Sequence, residues 1–252
     1  MGGGVVPPAR HSWYYALVLK IFTGYDPREA AGSYVFANSV ISRASVPVAF
    51  SFLGSGEKQH TGSNAFTYAR YLCAHLAHYT GGPIVFADGA DQICLADVAE
   101  LLDRWDPRCA VQVVRRAPYR ATPRKFMGTP MESVNTSYPC KQWSSFMLIS
   151  PSHYGWRRVR SEETTPDYWH GFGWLKDGEI GDLPNEWNRL VDEGDAVEGG
   201  KILHWTLGVP ALAHYKNSPG AELWRAEAQK AFHVCDPDWT RRVEELCQNK
   251  NR

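Results

Sequence analysis

The sequence predicts an α/β protein, a single Rossmann-like domain with a mostly parallel central sheet. Helical and strand patterns alternate through the first half of the 252 residues, and such alternation favours parallel strands joined by helices. The second half follows no regular order and is rich in tryptophan and glycine, which predicts an irregular C-terminal part. We expect residues 1–14 to form a flexible tail and residues 15–247 to form the domain.

The first predicted strand leads directly into a capped helix. An apolar run from Ala16 to Phe22 ends at Thr23-Gly24-Tyr25, as is typical of a buried strand that is closed by a turn. Asp26 can cap the helix that follows, and Glu29, three residues later, completes a capping box. A second strand is expected over Val46–Leu53.

The next segment, Phe66 to Tyr79, has apolar residues at helical spacing. Arg70 lies on the side that is predicted to face away from the core. The core-facing stripe is expected to consist of Tyr68, Leu72, Leu76 and Tyr79.

The remaining predicted elements are separated by turn signals. Strands are expected at Ile84–Ala87, Ala110–Val114 and Ser145–Ile149. Helices are expected to begin at Asp97 and to span Ala221–Phe232.

The composition excludes several classes of protein. Lys and Arg total 27 and equal Asp and Glu, so the neutral chain has no long-range attraction to nucleic acid or to an anionic membrane. No apolar run reaches the length of a membrane span, and the N-terminus lacks a secretory signal. The six cysteines are scattered without the spacing of a zinc site. We therefore expect a cytoplasmic protein with reduced thiols.

Acidic residues follow the strand at Ile84–Ala87 directly, in the order Asp88-Gly89-Ala90-Asp91. Open α/β sheets bind ligands at the carboxyl ends of their strands, and carboxylates are preferred ligands of Mg²⁺ and Mn²⁺. His204 ends another short apolar run and precedes Gly208. On the pattern alone, these residues can be interpreted either as a metal site or as an ordinary turn with a structural histidine.

Five segments occur in the order found in one enzyme family. They resemble motifs of the retaining, family 8-like glycosyltransferases of bacterial and bacteriophage type, which have the GT-A fold. The five are Ile21–Glu29, Thr67–Arg70 with the following Tyr79–Asp91 and Asp97, Tyr138–Ser145, Leu183–Asn188, and His204–Pro210.

The resemblance implies metal-dependent transfer of a sugar from a UDP-sugar donor. Asp88, Asp91 and His204 would bind Mn²⁺ or Mg²⁺, because the charge that grows on the departing diphosphate must be neutralised. Tyr25 and Asp26 would lie beside the nucleobase. The residues implied at the donor as a whole are Thr23, Tyr25, Asp26, Arg70, Asp88, Lys141 and Gly208.

The carboxylates expected nearest the sugar are Asp177 and Asp182, and Arg70 completes the implied catalytic set. Retention of configuration requires a front-face exchange or a carboxylate nucleophile, and both stay open. The chain departs from the family in having two residues between its aspartates where one is usual. It also lacks the family's lysine after His204, for which Lys141 is one candidate substitute and Lys216 another.

The acceptor is expected to be a glycan or DNA that bears a hydroxymethylated base. Arginines alternate with aromatic residues between Arg115 and Phe126, and Arg157, Arg158 and Arg160 follow Trp156. Basic residues interleaved with aromatic ones suit a nucleic-acid backbone and its bases. A phage origin would place the enzyme in the host cytoplasm. The ten tryptophans suit the stacking of sugar rings equally well.

Two other functions compete with sugar transfer. A nucleotidyltransferase also carries acidic metal ligands on a Rossmann-like sheet, but it usually has a Gly-rich, basic loop after its first strand. That loop is missing at Thr23-Gly24-Tyr25-Asp26, so this alternative ranks lower. The third alternative is a non-catalytic module that binds a sugar nucleotide or DNA.

Overall fold

The computed structural model describes residues 18–54, 66–79, 81–160 and 165–232. The tail expected at residues 1–14 therefore lies outside the described residues. The strands are β1 Leu19–Gly24, β2 Val48–Leu53, β3 Ile84–Ala87, β4 Gln92–Cys94, β5 Val111–Val113, β6 Arg124–Lys125, β7 Ser133–Val134, β8 Phe146–Ile149, β9 Ile180–Asp182, β10 Arg189–Leu190 and β11 Ile202–His204.

Helical structure is divided between α-helices and short 3₁₀ turns. The α-helices are α1 Ala30–Ile41, α2 Cys73–Leu76, α3 Pro166–His170 and α4 Ala221–Ala231. The 3₁₀ turns are Pro27–Glu29, Ala69–Leu72, Val98–Leu101, Trp143–Ser145, Tyr154–Arg158, Asp177–Glu179, Asn185–Trp187 and Ala213–Tyr215. Among the described helices, none has the length and apolar character needed to cross a bilayer.

The central sheet has six strands in the order β2-β1-β3-β8-β5-β9. β1 is parallel to β2 and β3, and β5 is parallel to β9, whereas β8 runs antiparallel to both of its neighbours. Five of the six strands therefore point the same way. This arrangement confirms the predicted α/β class with a mostly parallel sheet.

Both faces of the sheet are covered, as is usual for parallel strands. Side chains alternate along each strand, so Ile21 of β1 packs in one cluster and Phe22 in another. Phe36 and Val40 of α1 pack on the Ile21 face. Trp156 and other aromatic residues of the second half cover the Phe22 face.

A second, smaller sheet in the order β10-β11-β4 connects the two halves of the chain. β11 runs antiparallel to β4, with His204 opposite Gln92. The backbone N–H of Trp205 donates to the carbonyl of Asp91 over 2.9 Å. This pairing brings the end of β11 beside the turn that follows β3.

The expected core stripe between Phe66 and Tyr79 is wrong at Leu72 and Leu76, although Tyr68 and Tyr79 do pack against the core. Leu72 and Leu76 are 52% and 44% exposed, whereas Arg70 is only 6% exposed and Tyr71 is buried. The segment begins as a 3₁₀ turn, in which residues three apart share a face, so the spacing of a regular α-helix does not apply. Arg70 faces inward because its guanidinium pairs with the Asp88 carboxylate.

Candidate functional site

Three side chains that could hold a metal converge at the carboxyl end of β3. Asp88 follows β3, Asp91 precedes β4 and His204 ends β11. One potential ligand atom from each lies within 4.8 Å of the other two. The structure therefore brings together the three residues that the sequence predicts as a metal site.

Glycines allow the turn between the two aspartates to pack tightly. Gly89 has φ +76°, and a Cβ there would lie 1.9 Å from Oγ1 of Thr23. A Cβ on Gly32 of α1 would lie 1.8 Å from the carbonyl oxygen of Ala90. Any larger residue at either position would displace the turn, because positive φ and such close approach favour glycine.

Hydrogen bonds fix the orientation of His204. Nδ2 of Asn188 donates to Oγ of Ser145 over 2.9 Å and to the carbonyl of Gln142 over 3.2 Å, so Oδ1 is the atom that faces His204. Nδ1 of His204 donates to that oxygen over 2.9 Å. Nε2 lies 3.2 Å from Oδ2 of Asp91 and, when it carries no proton, is the atom that can bind a metal.

Negative charge is crowded at this site. Burial and the charge of Asp91 raise the pKa of Asp88 to about 6, although Arg70 opposes the rise. Glu29 is 8% exposed, and burial together with Asp91 raises its pKa to about 8. Burial would lower the pKa of His204, but Asp91 raises it above its usual value. The carboxylates thus destabilise one another's charged forms, and a bound cation would relieve this repulsion.

These residues fit a divalent metal. Oδ1 of Asp91 is buried without a hydrogen-bond partner in the described parts of the chain, although a buried carboxylate oxygen normally has one. Two carboxylates and one imidazole suit Mn²⁺ or Mg²⁺. The amide of Asn188 supports the imidazole from behind, as is usual for metal-binding histidines.

Arg70 is a further close neighbour of Asp88. Its Nη1 is 2.8 Å from Oδ1 of Asp88 and donates to the carbonyl of Ser144 over 3.0 Å. Its Nε donates to the carbonyl of Thr67 over 2.9 Å. The guanidinium is therefore a fixed positive charge next to the candidate metal ligands.

A single pocket contains Arg70 and the three candidate metal ligands. Most of its other side chains are polar or aromatic, and two are lysines. The lining residues are Phe66, Thr67, Arg70, Asp88, Asp91, Lys125, Phe126, Tyr138, Lys141, Gln142, Ser144, His170, His204 and Thr206.

Lys141, which the sequence predicts at the donor, lies in this pocket. Its Nζ donates to the carbonyl of Thr136 over 2.8 Å and lies 4.8 Å from the centre of the Tyr138 ring. Burial and the nearby charge of Lys125 lower its pKa to about 8. The ammonium group therefore remains mostly charged at neutral pH.

The residues expected beside the nucleobase lie at the end of β1, outside the pocket lining. Asp26 caps the following turn as predicted, since its carboxylate accepts from the backbone and the side chain of Arg28. Thr23 is buried against the Gly89 turn. Tyr25 joins a surface cluster of aromatic rings, 6.0 Å from the ring centre of Phe52.

Gly208 belongs to the loop that follows β11. Asp192 anchors this loop, because its carboxylate accepts from the backbone N–H groups of Thr206 over 3.1 Å and Leu207 over 2.7 Å. Burial raises the pKa of Asp192 to about 7. The anchored loop places Thr206 in the pocket lining.

The two carboxylates expected nearest the sugar lie at the protein surface. Asp177 is exposed in a 3₁₀ turn. The side chain of Asp182 is 75% exposed and pairs with Arg115 over 3.0 Å. Neither lines the pocket, so the structure does not bring them together with Asp88.

Several arginines of the predicted acceptor surface are paired with carboxylates. Arg116 lies 2.5 Å from Asp195, and Arg124 lies 2.7 Å from Glu132. Arg158 pairs with Glu179 in the same manner. These pairs reduce the positive charge that the surface could offer to a DNA backbone.

Sequence comparison identifies one clear relative. Protein CDI from Arabidopsis thaliana is 33% identical over 230 residues, which cover 84% of this chain and 86% of that protein. No family model matches the chain.

Solved structures with similar folds include glycosyltransferases. The galactosyltransferase LgtC, in complex with donor and acceptor sugar analogs, has 14% identity and a TM-score of 0.55 over 88% of this chain and 99% of its own. GlyE of Streptococcus pneumoniae TIGR4 has 14% identity and a TM-score of 0.56 over 93% of this chain and 64% of its own. The bifunctional glycosyltransferase WbbM has 14% identity and a TM-score of 0.51 over 83% of this chain. This chain spans about half of the length of WbbM, 51%. The fold is therefore that of the GT-A glycosyltransferases.

Proposed function

The chain belongs to the same family as Protein CDI of Arabidopsis thaliana, and we propose that it is a metal-dependent, retaining glycosyltransferase that uses a UDP-sugar. The observation that carries this proposal is the convergence of Asp88, Asp91 and His204 beside a buried Arg70 in a GT-A fold. Catalysis of sugar transfer needs positive charge where the diphosphate departs. The described pocket offers that charge through Arg70, Lys125 and Lys141, and through the metal that its carboxylates would hold.

The chain's own residues have distinct tasks in the proposed reaction. Asp88, Asp91 and His204 would hold the metal, which would neutralise charge on the diphosphate when bound. Arg70 fixes the Asp88 carboxylate and adds a positive charge of its own. Lys125 and Lys141 extend the positive charge across the pocket.

The stereochemical course is proposed from the pocket lining. Among the described lining residues, the carboxylates are Asp88 and Asp91, and both are assigned to the metal. Asp177 and Asp182 lie on the surface and do not line the pocket. Their contact with the sugar therefore stays a prediction from the sequence. A front-face exchange, which needs no carboxylate nucleophile, is therefore the mechanism that the described pocket favours.

A carbohydrate hydroxyl is the acceptor that we favour. Arg116 and Arg124, which the DNA hypothesis requires, are already paired with Asp195 and Glu132. Neutralised arginines release few counterions from DNA, and counterion release supplies most of the non-specific affinity. DNA with a hydroxymethylated base remains the alternative acceptor in the test below.

A mass-spectrometric screen of UDP-sugars tests the proposed function. The protein would be incubated with Mn²⁺ or Mg²⁺ and each donor, first alone and then with glycans or hydroxymethylated DNA. We expect metal-dependent release of UDP, transfer to a glycan, and the same anomeric configuration in donor and product.

Other products would identify the competing functions. Release of pyrophosphate from a nucleoside triphosphate and a sugar phosphate would identify a nucleotidyltransferase. Binding of UDP-sugars without any turnover would identify a non-catalytic module. Transfer to DNA alone would overturn the proposed acceptor class while leaving the proposed donor intact.

A further inference from the structure

His170 is linked to Arg70 through Ser144, which both side chains contact, and it lines the same pocket as the candidate metal ligands. Its Nδ1 is 2.7 Å from Oγ of Ser144 and 3.1 Å from the hydroxyl of Tyr71. Its ring stacks on Tyr138, with 5.2 Å between the ring centres and 25° between the planes. The hydrogen bonds at Nδ1 and the stacking on Tyr138 therefore fix the orientation of the ring.

The hydrogen-bond network assigns the proton of His170. Nη1 of Arg70 donates to Oγ of Ser144 over 3.3 Å, and the hydroxyl of Tyr71 donates to the same oxygen over 3.2 Å. Arg70 can only donate. If Nδ1 carried a proton, one of the two hydroxyl hydrogens would have no acceptor in this network. With Nδ1 as the acceptor of the Ser144 hydroxyl, every hydrogen in the network has an acceptor.

The ring is consequently neutral and carries its proton on Nε2. Burial, together with the positive charges of Arg70, Lys141 and Lys125, lowers the pKa of His170 well below its usual value. The side chain of His170 contributes to the lining of the pocket that contains Asp88. Nδ1 is already engaged, so Nε2–H is the hydrogen-bonding group that the ring has left for a ligand.

We infer that His170 is a specificity-determining residue whose Nε2–H donates a hydrogen bond to a hydroxyl oxygen of the transferred sugar. This inference rests on the proposed function. A neutral donor suits a hydroxyl oxygen, which has lone pairs but no charge. The charged diphosphate, in contrast, would pair with Arg70 and the two lysines of the pocket.

The series of contacts that links Asp88 to His170 supports this division of tasks. Nη1 of Arg70 contacts both Oδ1 of Asp88 and Oγ of Ser144, and Oγ of Ser144 in turn contacts Nδ1 of His170. Because His170 lines the same pocket as Asp88 and Asp91, a donor whose diphosphate binds at the two aspartates would place its next group within reach of His170. In a UDP-sugar, that group is the sugar.

Two substitutions separate a ligand contact from a structural role. His170→Gln keeps an N–H donor near the position of Nε2 but loses the acceptor for Ser144. His170→Asn keeps an acceptor near the position of Nδ1 but loses the donor to the pocket. A structural role would be preserved by Asn, whereas a sugar contact would be preserved by Gln.

Isothermal calorimetry in Mn²⁺ would compare UDP with UDP-glucose, UDP-galactose and UDP-xylose. For the sugar nucleotide that wild type binds best, we expect His170→Asn to lose about tenfold in affinity, which is the scale of one hydrogen bond. His170→Gln should retain most of that affinity, and both variants should bind UDP as wild type does. The exposed His75 on α2 offers a control as His75→Gln.

The outcomes separate the inference from the function on which it rests. If wild type binds a UDP-sugar and His170→Asn binds it equally well, the inference fails and the proposed function stands. If wild type binds neither UDP nor any UDP-sugar, both fail. Nitrogen-15 NMR provides a readout that needs no ligand: we expect a neutral Nε2–H ring at pH 6 to 8, and an Nδ1–H or charged ring would overturn the assignment.

Discussion

Oδ1 of Asn188 accepts the Nδ1–H of His204 over 2.9 Å, and Nδ2 of the same amide is held by Ser145. Asn188→Ala removes the group that keeps the lone pair of Nε2 directed at the metal position. We expect the affinity for Mn²⁺ to fall about 10–100-fold, as it does when such supporting groups are lost. Calorimetry on the folded variant measures this change.

Asn185 offers a matched control for that substitution. It begins the 3₁₀ turn that Asn188 directly follows, and it is exposed, so Asn185→Ala should bind Mn²⁺ as wild type does. An unchanged affinity in Asn188→Ala would show that the amide serves folding alone.

Removal of a metal ligand should abolish turnover without unfolding the protein. Asp91→Ala leaves one carboxylate and the imidazole. Among the described residues, Oδ1 of Asp91 has no hydrogen-bond partner that the substitution would leave unpaired, and Oδ2 contacts His204. We expect no measurable release of UDP from the best UDP-sugar and no binding of Mn²⁺. The exposed Asp103 provides Asp103→Ala as the control. Full activity of Asp91→Ala in EDTA would contradict the metal assignment.

The metal-free protein should lose stability as pH rises, because of Glu29. Its pKa is 4.5 in an unfolded chain and about 8 in the fold, mainly through burial. The folded state therefore holds an extra proton between these values, and its stabilising effect is complete below about 4.5 and lost as pH rises through about 8.

Glu29→Gln removes this dependence. In EDTA, the melting temperature of the variant should exceed that of wild type by at least about 4 °C at pH 8.5 and by much less at pH 4.5. Thermal unfolding followed by circular dichroism measures the difference at both values. Glu222→Gln, at an exposed position at the start of α4, should show no such trend. A constant difference across the pH range would contradict the assigned shift.

Arg70 is expected to act on both the fold and the reaction. Arg70→Ala leaves the buried Asp88 unpaired, which costs about 3–5 kcal/mol when a buried pair is broken, and should slow turnover at least about tenfold. Arg70→Lys retains the charge but not the second contact to Ser144, so it should recover part of the rate. Denaturant unfolding and kcat measured on the same samples separate the two effects. A wild-type rate in Arg70→Ala would exclude a role at the donor.

The sequence predicted those parts of the site that follow local rules. Asp88 and Asp91 can be predicted from the sequence because polar residues after a buried strand fall at the ligand-binding edge of a parallel sheet. The cap at Asp26 can also be predicted, because a capping pattern involves only residues that are close together in the sequence. His204 required the resemblance to a family, since its approach to Asp91 depends on the pairing of β11 with β4.

Other residues could not be predicted from their neighbours. Arg70 was placed on the outer side of a regular helix, whereas an ion pair and a 3₁₀ turn bring it inside. His170 follows no motif in the sequence, and its position depends on contacts with Tyr71 and Ser144, which lie far away in the chain. Asn188 lies within a recognised segment, but its bond to His204 becomes evident only in the fold.

The last prediction concerns the acceptor and the arginines between Arg115 and Phe126. Arg120 is exposed, and Arg124 pairs with Glu132. If a glycan is the acceptor, transfer should be nearly independent of salt, and Arg120→Gln with Arg124→Gln should retain it. If DNA is the acceptor, binding should fall steeply with salt, and the double variant should flatten that slope by roughly one unit per lost phosphate contact. Binding titrations at several salt concentrations distinguish the two, because release of counterions accompanies phosphate contacts and not contacts with a neutral sugar. Steep salt dependence that the double variant reduces would overturn the glycan acceptor and leave the donor site unaffected.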